Sequence, residues 1–586
     1  MFSLKRKSLM FMMGAFAAST ALQSLNVSDA FAQATSQLSQ GFVKGPGKRV
    51  SLTPKNNLEI SSDETEIFGS LKGVVVVDAV TSVVDAGVNA TGVETSSDVI
   101  PAGVIKAAEA YVGQPVSLAS LDRMTRDMVI AFRNAGIPVV NVVVPPQDVT
   151  NSVVQILAVV GRVGKTTVEG DASNPEHYTA DFPLEPGDVV SEEAVVNHLR
   201  WKSRRSHRRV DAIYSPGANF SETDIAFEVT ETKPWSVFLG ADSSGPGTSG
   251  EYRFFAGVIF NDLFKHDDEF SYQFSTSEEG TNGLAAHVLQ YTLPVAKRAD
   301  LQFTAAFVDS SSGNAVAGVT DGESEQLSVT YIRQLNRAFG FYWDGRIGFD
   351  YKSSDNSFEF GGGATTPGAQ TDIGQFFGLV NGERVVGRKR TNVFAGIWSS
   401  PGDMFDNNDN AAFNAARAGA TADYTYARLG IDHNVDFKND WTLKLEAEGQ
   451  ISSDRLIASE LFYLGGINTV RGFQENVVRG DSGIFASAEL YTPVHEINKE
   501  GAGVKLRGFG FFDTGSVSVE GTPTVNEGNA SISGAGIGIS FATFDNDNPT
   551  SSIAGEVSYG WKVEDDVLNT RDTDDGQFHF RIISRF

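Results

Sequence analysis

From Trp235 to Phe586, apolar and polar residues alternate over segments of about ten residues, and this pattern restricts the fold more than any other feature. Phe270, Tyr272 and Phe274 alternate with Glu269, Ser271, Gln273 and Ser275; Leu301, Phe303, Ala305 and Phe307 with Gln302 and Thr304; Trp441, Leu443, Leu445 and Ala447 with Thr442, Lys444, Glu446 and Glu448. A period of two places successive side chains on opposite faces of a strand. One face of each segment is therefore apolar and the other polar, at a length that suits a tilted crossing of a bilayer. The strands of a soluble sandwich also alternate, but they run to about five or six residues. In the last segment Phe578, Phe580, Ile582 and Phe586 share one face, while His579, Arg581 and Arg585 share the other. Such a terminal strand is expected to close the sheet against the first, because an orphan backbone group in lipid costs several kcal/mol.

The start of the chain carries Lys5, Arg6 and Lys7, an apolar stretch from Leu9 to about Leu22, and Ala30-Phe31-Ala32. This order reads as a signal peptide over residues 1 to 32. Its apolar core falls short of the roughly 20 residues of a spanning helix, and no later run reaches about 18. Loss of the leader takes the formal charge from −26 to about −28. That balance excludes a nucleic-acid partner, whose phosphates would be repelled. With no cysteine, thiol chemistry and thiolate metal sites are excluded as well. The eight histidines are scattered, and neither a Gly-x-Ser-x-Gly elbow nor a His-Glu-x-x-His pair occurs. No enzyme activity, metal or cofactor is expected.

Residues 33 to 70 are polar and irregular, a linker with room for a short plug segment at most. A β-α-α-β-β module is expected over 71 to 165: a strand at Val74 to Val77, helices at Ala102 to Val112 and Ser117 to Asn134, and strands at Val139 to Val144 and Ser152 to Val160. Gly136-Ile137-Pro138 stops the second helix. A second module occupies 166 to 234, with a strand near Thr167, a helix from Glu192 to Trp201, and strands at Val210 to Tyr214 and Asp224 to Val229. The basic island from Arg200 to Arg209 reads first as a solvated helix end, where cations are favoured; contact with an acidic segment or with lipid headgroups is the other reading. The barrel takes 235 to 586, with strands also near 371 to 382 and 388 to 400. If the modules and the terminal strand lie on one side of the membrane, the strand count is even, and sixteen is expected around an open lumen.

One segment inside the barrel reads neither as strand nor as simple turn. Leu461 to Glu475 is apolar, with Gly465-Gly466 and the single cation of Val470-Arg471-Gly472-Phe473, and is expected to fold inward. With Gly510-Phe511-Phe512-Asp513-Thr514-Gly515 further on, this run resembles the two-partner secretion transporters, the haemolysin and haemagglutinin secretion-activation family. That family is a branch of the superfamily that includes the barrel-assembly proteins. Pro145-Pro146-Gln147-Asp148 and Gly161-Arg162-Val163 match its first periplasmic POTRA module, and Tyr214-Ser215-Pro216-Gly217 with Pro234-Trp235 its second. Where the family often carries Asn-Pro-Phe, this chain has Arg205-Ser206-His207.

The resemblance implies a mainly β protein: a sixteen-stranded antiparallel transmembrane barrel behind two α+β POTRA domains, in the outer membrane of a Gram-negative cell. It implies that Arg471 pairs with Asp513, and physically an Arg on an inward loop can hold a wall carboxylate bidentately as a gating latch. Asp513 shares parity with Lys505 and Arg507, as a lumen face should, but also with Phe509 and Phe511. The implied partners are a secreted protein of adhesin or cytolysin type, received unfolded and exported without ATP, outer-membrane lipid, and the barrel-assembly machinery, for which the terminal aromatic strand is the signal. An assembly or insertion factor of the same superfamily is the alternative.

Overall fold

The computed structural model describes residues 61–586 except 247–249, 315–317, 361–363, 368, 499–501, 524–526, 546–551 and 567–573. The expected signal peptide and most of the expected linker lie outside the described residues. The chain divides into two compact units, one within Gly47–Arg204 and Arg208–Glu231, the other comprising Arg205–His207 and Thr232–Phe586.

The first unit holds two sheets. In the first, the strands run in the order Gly92–Thr95, Gly73–Val77, Val153–Val160 and Val140–Val143. The helices Ala102–Glu109 and Leu118–Asn134 pack Val104, Met124, Met128 and Phe132 onto Val74, Val76, Val154 and Ile156. Ser117 caps the longer helix: its side chain accepts from the Ser120 amide, and Ser120 Oγ accepts from the Ser117 amide. The strand Gly92–Thr95, parallel to Gly73–Val77, is an addition to the expected β-α-α-β-β order. It has only four half-exposed residues, too few to show a period.

The second sheet has three strands in the order Arg162–Gly170, Glu222–Glu231 and Arg208–Pro216. Its core joins Tyr178, Val195, Leu199, Val210 and Phe227. Tyr178 comes from a one-turn helix, Pro175–Thr179, that the sequence pattern does not announce. The basic island departs from a solvated helix end. Lys202, Arg205 and Arg208 are buried, and the Arg208 Nε donates to the Lys202 carbonyl at 2.8 Å. Arg205, which belongs to the barrel unit, donates to the Asp267 carbonyl at 2.8 Å and pairs with Asp300 at 3.1 Å.

The second unit is a closed antiparallel barrel of eighteen strand segments. Ala364–Pro367 and Thr371–Val386 both pair with Tyr342–Phe360, and Ser482–Tyr491 and His495–Ile497 both pair with Ala502–Ser518. Each couple is one interrupted strand, so the barrel has sixteen, as expected. Polar Ser271, Gln273 and Ser275 are buried, whereas Phe303, Phe307, Leu327 and Ile347 are exposed on the outer face. The apolar surface therefore lies outward, as lipid requires. Among the described residues no helix is long and apolar enough to cross a membrane.

The last strand, Gly576–Arg585, closes on the first, Trp235–Asp242, through five partner pairs from Arg581 opposite Asp242 to Arg585 opposite Phe238. Phe586 and Val237 add two backbone bonds, at 2.9 and 3.2 Å. By contrast, Ala299–Asn314 pairs with its neighbour over sixteen residues. On the closing strand Phe578, Ile582 and Phe586 are exposed outward, Phe580 is half-buried, and His579 is buried on the other side.

Candidate functional site

Between the strands Thr442–Ser452 and Ser482–Tyr491, residues 453–481 turn back into the barrel. A short hairpin, Phe462–Leu464 with Val478–Gly480, stiffens the segment. Beyond it the backbone turns sharply, with φ of +98° at Gly466 and +102° at Gly472. Such angles are readily reached only by glycine, and a Cβ at Gly466 would strike the Glu475 carboxylate. That carboxylate accepts the Ile467 amide at 2.8 Å, and Thr469 Oγ1 bridges the Gly465 amide and carbonyl at 2.9 and 3.0 Å. Val470 and Phe473, both fully buried, pack among Phe462, Leu464, Phe485, Val517 and Ile532. Apolar contact with the inner wall thus brings the loop inward and fixes the direction of Arg471.

The structure brings Arg471 and Asp513 together. Arg471 Nε donates to Asp513 Oδ2 at 2.7 Å, Nη2 to Oδ1 at 2.9 Å, and the Arg471 amide to Oδ2 at 3.2 Å. The third guanidinium nitrogen meets Glu489 at 2.7 Å. Asp513, with no exposed surface, also accepts from Ser487 Oγ at 2.6 Å. Glu489 is held in turn by the Tyr491 hydroxyl at 3.0 Å and by Lys444 at 3.3 Å. One cation thus faces two carboxylates whose remaining valences are taken, the condition under which a buried pair is worth its desolvation.

The shared parity of Asp513 with Phe509 and Phe511 is explained here. Both rings are buried on the inward face, and the Arg471 guanidinium lies 3.6 Å from the Phe511 ring centre. They flank the cation, a favourable arrangement for a planar guanidinium. Room for them comes from the next strand, Ala530–Asp545. A side chain at Gly536 would enter the Phe511 ring, one at Gly538 the Phe509 ring, and one at Gly534 the Arg471 carbonyl. At Gly472 the amide donates to His579 Nε2 at 3.2 Å, and Asn468 accepts from Arg581 at 2.9 Å. The loop tip therefore also touches the closing strand.

Two further polar nodes hold the same loop and escape sequence reasoning. Midway, Glu460 takes Lys352 Nζ at 2.7 Å and the Tyr426 hydroxyl at 2.7 Å. At the neck, Arg417 pairs with Asp481 at 2.6 Å and with Glu527 at 2.7 Å, and Arg455 pairs with Glu527. Asp481 also accepts the amides of Leu456 and Glu520, at 2.7 and 2.8 Å. These four side chains are at most 9% exposed. Glu489 shows itself only once the register is known: Ser487 pairs with Asp513 across the ladder, and Glu489 stands two residues along the same face. The neck gave no signal, because its members come from three separate loops.

A closed sixteen-stranded barrel with a loop fastened in its lumen, preceded by α+β modules, defines the class of outer-membrane transport proteins. The chain belongs to the haemolysin secretion/activation protein family, ShlB/FhaC/HecB, whose model matches residues 221–541. Residues 88–161 match the ShlB-type POTRA domain. The chain is 21% identical over 393 residues to the heme/hemopexin transporter protein HuxB of Haemophilus influenzae, covering 66% of this chain and 68% of that one. It is 22% identical over 408 residues to the outer membrane transporter CdiB-2 of Burkholderia pseudomallei, 66% of each chain. In fold it is similar to CdiB from Escherichia coli, with a TM-score of 0.71 and 17% identity over 97% of this chain and 100% of that one. For CdiB from Acinetobacter baumannii the TM-score is 0.63, with 15% identity over 96% and 99%. The chain is an outer-membrane transporter with periplasmic POTRA structure, and its family is one of transporters rather than enzymes.

Proposed function

We propose that this chain exports a partner protein. The two modules, placed at 71 to 165 and 166 to 234, receive an unfolded client in the periplasm, where a sheet edge can take up an extended segment by strand addition. The loop bearing Arg471 then leaves the wall, and the client crosses the lumen in extended form without nucleotide hydrolysis. The observation that carries this reading is the fastening of Arg471 to Asp513 and Glu489 inside the barrel of a secretion-family transporter. A loop held by a few discrete bonds has two states, docked and released, as a gate needs.

Gly465, Gly466 and Gly472 shape the tip so that Val470 and Phe473 pack while Arg471 reaches the wall. The alternating residues of the last strand, Phe578, Phe580, Ile582 and Phe586, form the signal by which the assembly machinery inserts the barrel. Export is tested by deleting the gene and comparing proteins released into the medium. Loss of one large protein, restored by the native gene but not by Arg471→Ala, is the expected result. A general fall in outer-membrane barrels would instead identify an assembly factor and overturn the export reading.

A further inference from the structure

One arc of the periplasmic rim and the outer loops carry opposite charge. The first strand begins and the last strand ends on the periplasmic side, so the turns 297–298, 335–341 and 387–388 lie there and the alternate loops lie outside. Residues 295–300, 333–344 and 383–390 together hold eight Lys and Arg against three Asp and Glu. The described residues of the outer segments 243–252, 278–283, 402–422, 519–529 and 564–575 hold one against thirteen. In a chain of net charge −26 the basic arc is a local inversion.

The three basic turns join consecutive hairpins, so they occupy one stretch of the rim. Contacts between them hold the arc together. Arg298 donates to the Leu335 carbonyl at 3.0 Å and Arg384 lies 5.8 Å from the Phe341 ring centre, while Arg388 reaches the next turn and donates to the Phe437 carbonyl at 2.6 Å. Two of the local carboxylates are engaged: Asp300 with Arg205 at 3.1 Å and Glu383 with Arg390 at 3.6 Å. Lys297, Arg337 and Lys389, one on each turn or its edge, are exposed. Large apolar side chains stand among them, namely Phe339 at 92% exposure, Val295 and Val386. Cations beside exposed apolar groups at the end of a lipid-facing wall match a surface that is anionic at the headgroups and apolar just beneath.

We infer that this arc binds anionic phospholipid headgroups in the leaflet facing the periplasm. Phe339, Val295 and Val386 enter the boundary region, and the cations meet phosphodiester and headgroup charge. The arc thereby fixes the height and tilt of one side of the barrel, independently of any client.

Trp343 supplies a reporter, since its Nε1–H donates to the Ala338 carbonyl at 3.0 Å within the middle turn. The full chain is reconstituted in phosphatidylcholine vesicles containing brominated phosphatidylglycerol or brominated phosphatidylcholine. Subtracting a Trp343→Phe protein isolates quenching of Trp343. The expected result is stronger quenching by the glycerol lipid in the native protein, abolished by high salt. The preference should fall about fivefold or more in the Lys297→Gln, Arg337→Gln, Lys389→Gln variant. Equal quenching by the two lipids in the native protein overturns the proposal, and this arm needs no variant to fold. Persistence of the preference in a variant with native heat-modifiable migration also overturns it; if that variant loses client export as well, the arc serves an acidic segment of the client instead.

Discussion

The tip and the neck of the inward loop are both held by buried ions, yet they are built in opposite ways. At the tip one cation, Arg471, meets carboxylates of the adjacent strands Ser482–Tyr491 and Ala502–Ser518, so the bond joins loop to wall. At the neck two cations and two carboxylates come from three outer loops, so the bonds join loop to loop. A tip bond can break while every other element stays in place. Opening the neck requires the loops 402–422 and 519–529 to part from Arg455 and Asp481 together. Under the proposed export, the tip is the contact that would release, and the neck the one that would hold the loop's two roots in register.

The largest expected effect comes from Arg471→Ala, which leaves Asp513 and Glu489 buried without their cation, at a cost of about 3–5 kcal/mol to the docked loop. Because the chain has no native cysteine, maleimide labelling of Ile467→Cys, a buried tip residue, reads undocking directly. Labelling and single-channel conductance should both rise, and Arg471→Ala with Asp513→Ala should recover part of the loss through their coupling. Unchanged labelling would break the comparison at its first term.

Next comes Asp481→Ala, which removes the partner of Arg417 and the acceptor of two amides, while Glu527 still holds both arginines. An effect of about 2–3 kcal/mol is expected, seen as protease cleavage within 402–422 and 453–460 while Ile467→Cys stays protected. If the tip labels equally fast, the two nodes are not separable. Gly472→Ala should cost about 1–3 kcal/mol through its left-handed backbone, loosening the tip with the neck resistant to protease. Glu460→Gln keeps an acceptor for Tyr426 but loses the charge opposite Lys352. It should change docking by about 1 kcal/mol, with labelling at position 467 close to native.

The difference between the nodes also decides what was legible in the sequence. Barrel strands show themselves because lipid and lumen impose a strict period of two, and that period led to sixteen strands. Arg471 stood out as a lone cation in an apolar run, and Asp513 followed from the resemblance. Arg417, Arg455, Asp481 and Glu527 lie in loops without period, so only the folded chain assembles them. Phe509 and Phe511 looked anomalous because a lumen was expected to be polar throughout; beside a docked loop the inner wall is a packed interior. Gly92–Thr95 was too short to register, and Arg205 read as a surface charge because its partners Asp267 and Asp300 lie far along the chain.

Gly534 leaves the inner wall bare beneath the Arg471 carbonyl, and Gly536 and Gly538 leave it bare beneath the rings of Phe511 and Phe509. That strand has no side chain of its own at these three positions to compete with the tip for the space. In the export reading proposed above, a released tip would find the same shallow seat over Gly534 on its return.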